Sequence, residues 1–99
     1  VRGVRFTLNS KTGSRIGLTH YDEHDSYSTG TYMFYFTWNR AYIYEKNRHI
    51  ATLSQRWGEG SWGAVQVNAA GTNVQYFLDG VLVWVSNVQG IRYPFRVDA

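Results

Sequence analysis

YMFYFTWNRAYIYEKN, residues 32–47, decides the fold class and raises the functional question together. Seven of its sixteen residues are Tyr, Phe or Trp. The pattern alternates about Asn39-Arg40, as two strands of a hairpin do. A two-residue turn at Asn39-Arg40 pairs Trp38 with Ala41, Phe36 with Ile43 and Tyr35 with Tyr44, and sets Thr37 across from Tyr42. Phe34, Phe36, Ala41 and Ile43 then share one face, which is the expected core. Met33, Tyr35, Thr37, Tyr42 and Tyr44 share the other. A slip of one residue would exchange the faces.

The same alternation runs through the whole chain, broken at short intervals by Gly, Asn, Asp and Ser. It predicts about nine strands, over residues 3–9, 15–21, 31–38, 41–46, 49–55, 62–68, 73–78, 81–86 and 93–98. No window carries helical periodicity. YFLDGVLVW (76–84) places Asp79-Gly80 between apolar runs, the strongest short hairpin signal, because its turn needs positive φ at both positions. QRWGEGSWG (55–63) carries three glycines and reads as an open, mobile connection. The segment 81–86 is apolar on both faces, which predicts cover on both sides or a dimer interface. Its inward set is either Leu82 and Trp84 or Val81, Val83 and Val85. The remaining inward positions are Val4, Phe6, Leu8, Ile16, Leu18, Val65, Val67, Val74 and Tyr76. The expected architecture is all-β: one domain, residues 1–99, an antiparallel β-sandwich with mostly up-and-down connections.

Composition narrows the function classes. The chain has 99 residues and 43% hydrophobic content, enough for one core. It has no cysteine, which excludes disulfides, thiolate metal sites and cysteine nucleophiles. No apolar run is long enough to span a membrane as a helix, so membrane insertion is not expected. No charged segment followed by an apolar one opens the chain. It begins at Val1, so processing or excision from a longer product is expected. None of the six Asn residues starts a glycosylation sequon. The net charge of +3 comes from Arg residues spread from Arg2 to Arg96. Nucleic-acid binders gather their positive charge on one stripe, so nucleic acid is not the expected partner.

GVRFTLN (3–9), SRIGLT (14–19), the opening stretch, NVQYFLDGVLVWVSN (73–87) and YPFRVDA (93–99) follow one another in an order that resembles concanavalin A-like (legume-lectin-like) β-sandwich modules. AYIYE, VQYFLDGVLVWVS and YPFRVD look like that fold's meander hairpin, Asp-Gly hairpin and closing strand. The short length, without long insertions, is most similar to the minimal, haemagglutinin-like members of the class. The resemblance implies a carbohydrate-binding lectin that is secreted and has glycans or glycoproteins as partners. The acidic calcium/manganese loop of legume lectins, and their sugar-binding Asp and Asn, have no counterpart that can be placed here. No ligand residue is therefore carried over.

Candidate sites come from the residues themselves. Tyr35, Tyr42 and Tyr44 form an outer platform whose rings can stack on the C–H face of a sugar and whose hydroxyls can bond its hydroxyls. The same face would also serve a homodimer, or simply meet water. HYDEHDSY (20–27) gathers acceptors, and Tyr21, Asp22, His24 and Asp25 are candidates for sugar contact. Asp22, Glu23 and Asp25 are a weaker alternative as oxygen ligands of calcium, lacking the glycine pivot and distal Glu of an EF-hand. Otherwise no cofactor is expected. His20 and His24 alone make no zinc site. Trp57 and Trp62 flank the glycine-rich segment; either could stack on sugar or cap the end of a sandwich, with Trp57 the favoured stacker. Catalysis is not expected: Glu45 is the lone acid at a strand centre, whereas glycoside hydrolysis needs a facing pair. No nucleophile elbow or phosphate-cradling motif occurs. A protein-interaction sandwich within a larger extracellular protein is the alternative to a lectin. Single-strand nucleic-acid binding is a further, weaker one.

Overall fold

A computed structural model describes residues 2–8, 14–20, 31–38, 40–46, 48–87 and 95–98. Nine strands lie among the described residues: β1 (Gly3–Thr7), β2 (Ser14–His20), β3 (Tyr32–Thr37), β4 (Arg40–Glu45), β5 (Arg48–Thr52), β6 (Trp62–Val67), β7 (Asn73–Leu78), β8 (Val81–Asn87) and β9 (Phe95–Asp98). They form two antiparallel sheets, in the orders β1-β6-β7-β8 and β5-β4-β3-β2-β9. Hairpin neighbours account for β2 through β5 and for β6 through β8. The chain changes sheet between β1 and β2, between β5 and β6, and between β8 and β9.

The two inner faces meet in an aromatic core. Phe6 packs edge-on against Phe34 and Phe36, each at 5.9 Å. Phe34 stacks on Phe36 at 5.0 Å and meets Tyr76 of the other sheet at 5.3 Å. Leu18, Ile43, Val65, Val74 and Leu78 fill the space around these rings. Gly63 sits opposite Phe6 for a steric reason: a Cβ there would lie 2.6 Å from Cζ of that ring.

The Asp79-Gly80 turn is as the sequence predicts. Both residues have positive φ, +51° and +81°, and Leu78 pairs with Val81. The carboxylate of Asp79 also accepts from the Ser61 hydroxyl (2.9 Å) and the Trp62 amide (3.0 Å), tying the turn to the start of β6.

The β3–β4 hairpin differs from the expected register by two residues. Thr37 pairs with Arg40, Phe36 with Ala41, Tyr35 with Tyr42, Phe34 with Ile43 and Met33 with Tyr44. Trp38 thus lies in the loop and Arg40 in the strand. Trp38 stands out into solvent at 69% exposure, and Arg40 is spared the positive φ that an Asn39-Arg40 turn would demand. The shift is even, so every side chain keeps its face.

Two further expectations are corrected. The segment 55–63 is not an open connection. Leu8 and Gly60–Ser61 exchange two 2.7 Å backbone bonds, Gly58 and Ser61 bond each other, and the Gln55 amide donates to the Leu78 carbonyl at 2.9 Å. In β8 neither predicted inward set is right as a whole. A register shift beside Tyr76/Phe77 breaks the alternation. Val83 packs on the core, whereas Val81, Leu82 and Trp84 stay exposed at 50, 47 and 36%.

Candidate functional site

The outer face of the five-stranded sheet carries the tyrosines. β3 is the middle strand, with β4 on one side and β2 on the other, so Tyr35 stands at the centre of the face. Direct pairing brings Tyr42 beside it, with ring centroids 6.0 Å apart. Tyr44 lies on the diagonal, meeting Tyr35 edge-on at 5.5 Å. β5 extends the surface through His49, whose ring is 6.1 Å from Tyr42 and 5.6 Å from Tyr44. His49 Nε2 and the Thr52 hydroxyl are hydrogen-bonded at 2.8 Å. From β2, the guanidinium of Arg15 lies over Tyr35 and Tyr44, at 4.9 and 4.8 Å from their centroids.

The result is four contiguous rings crossed by one cation, on a sheet whose other face is the core. All three tyrosines are half-buried. Their mutual contacts and the Arg15 contacts fix the rings without a loop. Met33 shares this face but is buried. No sequence motif marks His49 or Arg15 as a site residue. Both were findable once β2 and β5 had been placed beside the hairpin.

Trp57 takes the second of the roles open to it. It is 5% exposed, packs edge-on against Phe36 at 5.4 Å, and its indole N–H is shared between the carbonyls of Thr37 (3.0 Å) and Arg40 (2.9 Å). It closes the end of the sandwich at the β3–β4 turn. As a sugar-stacking residue it is corrected: no ligand reaches a ring buried in the core.

Tyr21, Asp22, Glu23, His24 and Asp25 lie outside the described residues. Among the described residues, no group of three His, Cys, Asp or Glu side chains could hold a metal ion.

Glu45 points inward. Its carboxylate accepts from the hydroxyl of Tyr76 (3.0 Å) and from the hydroxyl of Ser86, bridging the two sheets. Burial first, and then the neighbouring Glu45 charge, push the Tyr76 phenol well above its ordinary pKa. This is a structural bridge rather than the acid of an open cleft.

On the opposite face of the molecule, the four-stranded sheet holds a groove of about 450 Å³. Arg5 and Trp62 border it, with the guanidinium carbon 4.1 Å from the ring centroid. A second groove, about 340 Å³, runs along the side of the sandwich between β5 and β8 and is bordered by Ala51, Leu53, Val83 and Trp84.

No protein-family model matches the chain. No curated protein matches it either.

Proposed function

We propose that this domain is a carbohydrate-binding module of the concanavalin A-like, haemagglutinin-like kind, working outside the cell on glycans or glycoproteins. The observation that carries the reading is the continuous ring surface of Tyr35, Tyr42, Tyr44 and His49 on the solvent side of a rigid sheet. A pyranose has an apolar C–H face and a polar rim. Aromatic rings take the first, and phenol, imidazole and hydroxyl groups at their margin take the second. The rings are already ordered by one another, so binding costs little side-chain entropy. The surface is shallow, so single sugars should bind weakly and multivalent display should matter.

Binding to a glycan array, competed by the free sugar of the hit, tests this proposal. Silence across a broad array would refute it. A Tyr35→Ala/Tyr44→Ala double variant that folds but binds unchanged would move the site off this face. Tyr21, Asp22, His24 and Asp25 would then be the next residues to substitute.

A second reading, a protein-interaction sandwich or homodimer, is favoured by β8. It is an edge strand without a charged residue, and it exposes Val81, Leu82 and Trp84. Edges of this kind invite another strand. Sedimentation that stays monomeric at high concentration, with no partner captured in the presence of competing sugar, would dismiss it.

A further inference from the structure

We propose that the groove across β1, β6 and β7 is a second ligand site, specific for a carboxylated sugar ring. The inference rests on the carbohydrate reading above but uses different residues on the opposite face.

The groove follows from the register. Arg5 pairs with Ala64, and Ala64 with Phe77, so a methyl group lies between two large side chains. The next rank is Gly3, Gln66 and Gln75. Small residues at two neighbouring positions sink the floor, and Ala64 itself is 7% exposed. Trp62, two residues along β6, closes one end beside Gly80, where a Cβ would stand 3.6 Å from indole Cζ2. The volume, about 450 Å³, falls in the range of small-molecule sites.

The chemistry is selective. Among the described residues that border the groove, Arg5 is the one charged side chain and none is a carboxylate. Stacking on Trp62 fixes the plane of the guanidinium while leaving its edge as a fork of donors. That fork matches a carboxylate, which accepts two parallel hydrogen bonds. Phe77 and Trp62 offer apolar surface to the ring C–H groups. The Gln66 carboxamide, which lines the groove and lies 3.4 Å from that of Gln75 behind it in the rank, offers a donor and an acceptor to hydroxyls. A neutral hexose would leave Arg5 unused. A nucleic-acid strand needs cations in series along its backbone, and the described residues of this groove supply one. A hexuronate uses every group present. With ligand surfaces on both outer faces, a single chain would bridge two glycans without dimerising.

The test is titration of the protein with trigalacturonate and with its neutral counterpart, galactotriose. Binding is read by calorimetry and by the Trp62 indole N–H signal in NMR. Trigalacturonate should move that signal and galactotriose should not. Arg5→Gln should weaken trigalacturonate binding by roughly 10- to 100-fold, as loss of a charge-assisted pair does, and Arg5→Lys should restore part of it. The Tyr35→Ala/Tyr44→Ala variant should bind trigalacturonate as before. Unchanged binding by a folded Arg5→Gln variant would overturn the proposal. So would equal binding of galactotriose, or displacement of trigalacturonate by oligothymidylate with steep salt dependence. Loss of trigalacturonate binding in the tyrosine variant would place the acidic sugar on the other face, refuting this site while sparing the carbohydrate reading. Binding at the groove with a silent tyrosine face would support this site and refute the assignment of sugar binding to the tyrosine face.

Discussion

Trp57→Phe separates the structural from the ligand-binding use of aromatic side chains. The substitution keeps an aromatic ring against Phe36 but removes the indole N–H that the Thr37 and Arg40 carbonyls share. Losing that shared hydrogen bond costs about 1–2 kcal/mol, since both carbonyls sit at a turn where water can partly replace the donor. The smaller ring leaves a void of roughly 40 Å³ in a site that is 5% exposed, worth about 1 kcal/mol. The sum, about 2–3 kcal/mol, lowers the melting temperature of a domain this size by roughly 10–20 °C. Urea and thermal unfolding followed by circular dichroism measure it. Glycan affinity, taken well below the melting transition, should stay at the wild-type value. A stability loss below about 0.5 kcal/mol together with a loss of glycan binding would refute the assignment of Trp57 to the core.

Other substitutions probe the rest of the frame. Gly63→Ala drives a Cβ into the Phe6 ring and should destabilise by about 1–3 kcal/mol in the same unfolding assay. Asp79→Ala removes the acceptor of Ser61 and of the Trp62 amide and puts alanine at a φ of +51°, so it should cost about 1–3 kcal/mol by urea unfolding. Tyr76 gives a pH signature. Its folded pKa is raised, so above about pH 10 the unfolded phenol releases its proton while the folded one retains it. Stability from this group is complete below that pH and then falls, by up to about 1.4 kcal/mol per pH unit. In paired unfolding series against pH, Tyr76→Phe should be less stable near neutrality and should lose this part of the alkaline slope.

The sequence made the layout of strands legible because turn chemistry and side-chain alternation are local. Asp79-Gly80 names its own turn, and Phe34, Phe36, Ala41 and Ile43 name their own face. The hairpin register was less legible. Asn39 is the better turn former, yet the loop takes Trp38 in place of Arg40, and only the parity of the shift preserved the tyrosine face. Trp57 was misjudged for a related reason: its glycine neighbours suggested exposure, whereas the carbonyls that hold it lie 20 and 17 residues earlier in the chain. The broken alternation of β8 belongs to a bulge that no residue type announces. Arg5 and Trp62 meet only through the β1–β6 pairing, a crossover that joins distant parts of the chain. Tyr35, Tyr42 and Tyr44 could be read in advance because one hairpin carries all three.

The central claim is that these three tyrosines meet a sugar. Selective labelling of tyrosine and phenylalanine rings, followed by NMR titration with an array-identified oligosaccharide, tests it most directly. The account predicts that the ring signals of Tyr35, Tyr42 and Tyr44 shift together and saturably, while those of buried Phe34, Phe36 and Tyr76 hold still. Saturable binding that leaves all three outer tyrosines unmoved would contradict it.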